Sequence, residues 1–317
     1  MRFCYCKISF FCYNYFMKTL TLQSTDNYTL HLKIFDHPTP RAVIKIIHGM
    51  MERQERYEDF ARFLAEHGFI AVTADLRGHG QYAPMLSHIA DKDGARLLVE
   101  DEIVIRNWIR SEYPSLPMVL FGHSMGSIIA RKVLQNDSGL YDKAILSGYV
   151  NPQPAGSFGV LLTKLIGMFR SMKGYSPLLT ALAIGPFAAA IPNAQPHEMR
   201  WLSYNEDNVA RFKADRFCGK EFTVGSYNAL FRLVSDIAKP KQYKNVKTDL
   251  PLLLICGEDD PCTGFDKGRL KSLSVLRQAG FTNIETETIP QMRHEILNET
   301  EHKKVYERIL EFIMHNS

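Results

Sequence analysis

The sequence predicts an α/β fold, a mostly parallel sheet flanked by helices, with an inserted helical cap. Three observations predict it. From about residue 28, short β-branched runs alternate with amphipathic helical stretches, as in sheets whose strands are joined by crossover helices. That alternation breaks for roughly a hundred residues between 148 and 251, far longer than an ordinary αβ connection. A Gly-x-Ser-x-Gly pattern falls between a strand run and a helical run.

Along the chain, residues 1–16 carry half of the six cysteines and a crowd of aromatics, and composition changes at Met17. Lys7 and Asn14 interrupt the apolar run, no small-residue cleavage site follows, and the stretch is too short to span a bilayer. It reads as a disordered leader or an over-extended start. Strands are expected at 28–35, 42–47, 69–74, 118–121, 143–148, 251–256 and 283–289, and helices at 57–66, 95–110, 125–136, 265–279 and 301–314. In the second helix Leu97, Val104, Ile105, Trp108 and Ile109 share one side, which should pack on the sheet. Residues 17–150 and 241–317 form the expected core domain, and 151–240 the cap. The cap opens on a linker rich in Pro and Gly, followed at 158–172 by an apolar arc of Leu161, Leu162, Leu165, Ile166, Phe169 and Met172 with Lys164 and Arg170 outside it.

Composition narrows the function classes. The chain has 317 residues, 45% hydrophobic and 23% charged, with a formal net charge of +4 spread among acids. No basic block marks a nucleic-acid footprint, so a small-molecule substrate is expected. The cysteines at 4, 6, 12, 218, 256 and 262 form no CxxC pair and no Cys/His cluster at zinc spacing. No metal is expected, and a reducing cytoplasm suits the thiols.

The chemistry centres on Gly122-His123-Ser124-Met125-Gly126. In a strand–turn–helix setting, small neighbours let the backbone turn sharply and lift the serine hydroxyl clear of the sheet. The competing reading, a helix capped by that hydroxyl, is the lesser one. A serine needs a base, and the base an orienting acid. Of eleven histidines, His294 follows the last expected strand closely, while His302 and His315 sit in a terminal helix. The acid should leave the preceding strand, where Gly257-Glu258-Asp259-Asp260-Pro261 offers three candidates. Asp260 is favoured because Pro261 fixes the turn after it, and Asp259 stays open. Backbone N–H groups of Met125 and of Met50, after His48-Gly49, are the expected oxyanion donors. Asp75-Leu-Arg-Gly78-His79-Gly80 is read as a structural turn without chemistry.

Together, His48-Gly49-Met50, Asp75 to Gly80, Gly122 to Gly126, Gly257 to Asp260 and His294-Glu-Ile-Leu-Asn-Glu299 resemble the monoacylglycerol lipase and bacterial lysophospholipase branch of the α/β-hydrolases, over nearly everything from Met17 on. The resemblance implies a helical cap, no cofactor, and hydrolysis of an ester carrying a single acyl chain. It also implies Asp260 as the acid and supports Met50 and Met125 as donors. A lipid or ester substrate, a transient membrane-surface contact through the cap and a cytoplasmic site follow as expectations. One departure stands out: Glu52-Arg53-Gln54-Glu55 precedes Arg56-Tyr57, where the family commonly has Glu-His-Ser and a small residue. Cys218-Gly219 and Phe222-Thr223 resemble bacterial members more than animal lipases. The competing functions are a short-chain carboxylesterase, an aminopeptidase-type amide hydrolase using acids such as Glu198, Glu206 or Asp207 to hold an ammonium, and a non-catalytic ligand-binding member.

Overall fold

The computed structural model describes residues 16–153, 156–193 and 196–315. The leader expected at 1–16 thus lies outside the described residues except for Phe16, which opens the first strand. Eight strands follow in chain order: β1 (Phe16–Gln23), β2 (Thr29–Asp36), β3 (Val43–Ile47), β4 (Ile70–Ala74), β5 (Met118–His123), β6 (Lys143–Ser147), β7 (Leu252–Gly257) and β8 (Ile284–Ile289). They form one sheet in the order β1-β2-β4-β3-β5-β6-β7-β8. β1 and β2 form an antiparallel hairpin, β2 lies antiparallel to β4, and all later pairs are parallel.

β1 is the strand the sequence reading passes over. Its Leu20 and Leu22 are half-buried while Thr19 and Thr21 are exposed, the period-two pattern of an edge strand with one face wet. The central strands β3, β4, β5 and β7 are buried at every position, because helices cover both faces.

The helices are α1 (Glu58–Glu66), α2 (Gly94–Glu112), α3 (Met125–Asn136), α4 (Gly156–Arg170), α5 (Pro177–Ala189), α6 (Glu206–Ala214), α7 (Val224–Ile237), α8 (Phe265–Ala279) and α9 (His302–Met314). α1 and α9 bury Phe60, Leu64, Ile309 and Phe312 on one face, with Ile44, Phe121 and Ile255 of the sheet. On the other face Ile105 and Ile109 of α2 and Ile128 and Ile129 of α3 join Val72, Leu120 and Leu254. Val104 and Trp108 are only half-buried.

Four helices, α4 to α7, occupy the stretch between β6 and β7. α7 shares the core of α2 and α3 through Tyr227, Leu233 and Ile237. α4 lies on α7 by its small residues: a methyl on Gly156 would come within 2.6 Å of the Phe231 carbonyl, one on Gly159 within 2.6 Å of the Phe231 ring. Ser157 Oγ meets Ser235 Oγ at 2.7 Å, and Asn228 donates to Thr163 Oγ1 at 2.7 Å. The apolar arc read at 158–172 therefore splits: Leu162, Ile166 and Met172 are half-buried against the core, and the other three side chains are exposed. Leu161, Leu165 and Phe169 are 55%, 46% and 87% exposed, while Gly156, Gly159 and Thr163 are buried. The close contact with α7 uses small side chains, and Leu161, Leu165 and Phe169 face outward.

Candidate active site

The geometry begins at the end of β5. Ser124 has φ +52° and ψ −121°, a backbone conformation that a residue with a side chain keeps only when its surroundings hold it. The flanking glycines are required by contact. A methyl on Gly122 would sit 2.4 Å from the Gly126 carbonyl oxygen, and one on Gly126 2.2 Å from that of Ile47. The turn is pinned from both sides: Ser124 N–H donates to the Ser147 carbonyl at 3.0 Å, and the Ser127 hydroxyl donates to the Ser124 carbonyl at 2.6 Å.

His294 and Asp260 arrive from the loops after β8 and β7. Both are buried. His294 Nε2 lies 2.8 Å from Ser124 Oγ, and Nδ1 lies 3.0 Å from each carboxylate oxygen of Asp260. A proton on Nδ1 facing the carboxylate leaves Nε2 free to accept from the hydroxyl. Asp260 is held in turn by the Cys262 N–H at 2.8 Å, as the cap of a short 3-10 turn that starts at Pro261. Asp259 points elsewhere, to the Tyr204 hydroxyl at 2.9 Å, and Glu258 is exposed. Burial works against protonation of His294, but the Asp260 carboxylate and the nearby Glu295 and Glu52 outweigh it, and the imidazole pKa lies above its usual 6.5. Among the described residues, Asp260, Cys262 and His294 are the group with metal-ligand spacing. The Asp260 oxygens already serve His294 and Cys262 N–H, so these residues suit a hydrogen-bonded relay.

Met50 and Met125 both line the cavity above Ser124. Among the described residues neither backbone N–H has a protein acceptor. The loop from His48 is set by buried polar contacts. His48 Nδ1–H donates to the Gly49 carbonyl at 2.7 Å, and Nε2 accepts the Leu76 N–H at 2.9 Å. Glu52 accepts from the Gly49 N–H, from the Tyr57 hydroxyl at 2.7 Å and from Arg56 at 3.1 Å. Arg56 also pairs with Glu295, which Asn208 of α6 reaches at 2.6 Å. Glu52 and Arg56, which agree with the family pattern, thus form a buried ion network that joins this loop to the His294 loop, whereas the departing residues Arg53, Gln54 and Glu55 pair with Asp215, Asp75 and Lys33.

The cavity has a volume of about 290 Å³, and its walls are mainly apolar: Leu182, Phe187, Trp201, Leu230 and Phe231 are prominent. The Trp201 ring lies 5.2 Å from the His294 ring, and the His123 ring 4.8 Å from it. Burial keeps His123 neutral, with a pKa well below 6.5. Glu52 and Glu295 are the acids on the wall, and both are paired. Glu198, Glu206 and Asp207 are not brought to it, and neither are Leu165 and Phe169. Sequence reasoning missed Trp201, Glu295 and Arg56 as site residues. Glu295 is adjacent to His294 and Arg56 follows the atypical loop, and those positions were the available signal; Trp201 had none.

Comparison with known proteins adds a lineage. A family model described as serine aminopeptidase, S33, matches residues 38–301. A monoacylglycerol lipase of Mycolicibacterium smegmatis is 26% identical over 279 residues, 87% of this chain and 89% of the relative. The human monoglyceride lipase is 28% identical over 232 residues, 70% of this chain and 66% of the relative. A thermostable carboxyl esterase from Bacillus coagulans, solved in complex with glycerol, superposes with a TM-score of 0.86 at 26% identity, covering 94% of this chain and 97% of that one.

Proposed function

The chain belongs to the serine aminopeptidase S33 family, its sheet is that of an α/β-hydrolase, and from those premises we propose that it hydrolyses carboxylic esters of single-acyl-chain lipids, monoacylglycerols or lysophospholipids. The observation that carries this reading is the chain of contacts from Ser124 Oγ through His294 to Asp260, 2.8 and 3.0 Å, at the floor of an apolar cavity. His294 Nε2 takes the hydroxyl proton as Ser124 Oγ bonds to the ester carbonyl carbon. The carbonyl electrons move to oxygen, where Met50 and Met125 N–H groups stabilise them. Collapse expels the alcohol, which leaves with the proton from His294. A water deprotonated by His294 then attacks the acyl-enzyme and releases the acid, and Ser124 regains its proton.

The cavity wall favours esters over aminoacyl substrates. An α-ammonium group needs an unpaired carboxylate, and the acids on this wall already hold Arg56, Asn208 and Gly49 N–H. The residues from 151 to 240 serve as the cap, with α5 supplying wall residues and α4 an outer face. Phe158 and Leu182 both line the cavity and are exposed, which makes the cavity mouth continuous with the apolar side chains Leu161, Leu165, Met168 and Phe169 of α4. An interfacial contact with a lipid surface fits that continuity. No described helix is long and apolar enough to cross a membrane. The described cysteines are free thiols, which suits a reducing cytoplasm.

The test is a panel of monoacylglycerol, lysophosphatidylcholine, short aryl esters and aminoacyl arylamides at matched concentration. Turnover of the single-chain lipids is expected to exceed that of the others. Arylamide turnover above ester turnover would overturn the assignment.

A further inference from the structure

The Asp75–Gly80 turn, without chemistry in the sequence reading, and the Cys218-Gly219 pair converge on one backbone segment. That segment is Met51, next to Met50. Its φ of +59° lies in the left-handed region, where a long side chain stays only if neighbouring groups hold it. Two hydrogen bonds do so: Met51 N–H donates to His79 Nε2 at 3.3 Å, and the Met51 carbonyl accepts from Gly219 N–H at 2.8 Å.

His79 is built to accept. Its Nδ1–H donates to the Arg77 carbonyl at 3.1 Å, which leaves Nε2 with its lone pair. Burial keeps the ring neutral, with a pKa near 3. Edge contacts with His48 at 5.1 Å and Phe222 at 5.5 Å fix the ring plane. The same turn also grips the loop through Leu76 N–H, which donates to His48 Nε2 at 2.9 Å, and through Asp75, which accepts from Gln54 N–H at 2.8 Å and Gln54 Nε2 at 3.2 Å.

The consequence for Met50 is geometric. Each residue's conformation is set by the two rigid peptide planes that flank it. His48 bonds to the Gly49 carbonyl and so fixes the plane that carries Met50 N–H. His79 bonds to Met51 N–H and so fixes the plane on the other side. We propose that His79, together with the Gly219 peptide, is a positioning element of the hydrolytic reaction, holding Met51 so that Met50 N–H stays aimed at the oxyanion above Ser124. The inference rests on the reading of Met50 as an oxyanion donor.

His79→Leu keeps the bulk and removes the acceptor, whereas His79→Gln offers Oε1 to the same N–H. Loss of one oxyanion donor typically costs 10²–10³ in kcat, and a loosened donor should cost part of that. His79→Leu is therefore expected to lower kcat by about 10- to 100-fold with KM within about threefold. An alkyl trifluoromethyl ketone, which mimics the tetrahedral intermediate, should lose affinity in parallel, and dodecanol, which only fills the cavity, should not. His79→Gln should recover kcat to within about fivefold of the unaltered enzyme. Gly219→Ala, a milder change at φ +66°, should cost about 3- to 10-fold in kcat alone; it keeps the test open if His79→Leu fails to fold. Unchanged kcat in both variants, a loss that glutamine does not recover, or a loss of kcat without a loss of ketone affinity overturns the positioning role. An unaltered enzyme that neither cleaves esters nor reacts with a fluorophosphonate at Ser124 overturns the functional reading itself.

Discussion

At the scale of single residues, Ser124 carries the least structural duty for its chemical weight. Among the described residues its hydroxyl hydrogen-bonds with His294 alone, so Ser124→Ala should abolish fluorophosphonate labelling and esterase activity with an unchanged melting curve; surviving labelling would refute the nucleophile. Asp260→Asn should lower kcat by about 10³- to 10⁴-fold through loss of tautomer control. Asp259→Asn, which disturbs only the Tyr204 contact, should cost less than about twofold, and the reverse order would reassign the acid. The pH dependence follows from the charges around His294. Its pKa is raised partly by Glu295, and the general base works when neutral, so kcat/KM should fall as pH drops through a value above 6.5. Glu295→Gln removes a negative charge beside the imidazole and should move that acid limb to lower pH; a limb that stays or rises refutes the coupling. Ser124, Asp260 and His294 were legible because strand ends and chain order fix where such residues must stand. Arg56, Glu295 and Trp201 were not, because partners that place them come from distant segments: 87 residues separate Asn208 from Glu295 and 239 separate Arg56 from Glu295, and a local pattern carries no such distance.

At the scale of elements, the sheet was legible and the insertion only as a helical stretch. Central strands announce themselves by short β-branched runs between helices, whereas β1 is a half-wet edge beside an aromatic-rich leader. α5, Pro177–Ala189, is apolar on every side and contains Pro186, so no helical period marks it. α4 has a period, but Leu161, Leu165 and Phe169 of its apolar arc face outward, because glycine, serine and threonine make the contact with α7. Two kinds of substitution should therefore separate. Phe187→Asp, in the cavity wall, should flatten the rise of kcat/KM with acyl length, which otherwise reaches up to about 15-fold per carbon pair at about 0.8 kcal/mol per methylene. Leu165→Asp and Phe169→Asp, outside the wall, should leave soluble esters unaffected and reduce binding to phospholipid vesicles. Equal effects of both kinds on short and long esters would mean that the insertion only packs.

At the scale of the whole molecule, the amino-terminal hairpin is tied to the second face of the sheet by one guanidinium. Arg77 reaches Asp101 of α2 at 2.7 Å and Asp26 of the β1–β2 turn at 2.9 Å, and Ser24 also donates to Asp101. Asp101 is buried, whereas the Asp26 side chain is 40% exposed. Arg77→Met should thus cost about 3–5 kcal/mol by stranding a buried carboxylate, and Asp26→Asn less than about 1 kcal/mol, both read from urea unfolding; equal costs would show the hairpin to be the main beneficiary. The outward face of α4 has a consequence of another kind, for how the molecule behaves in a tube. Among the described residues nothing covers the phenylalanine, leucine and methionine side chains of α4 beside the cavity mouth. Concentrated enzyme should cover them with other molecules of itself, each blocking its neighbour's entrance. Specific activity should then rise on dilution, and rise again when a little non-ionic detergent is added.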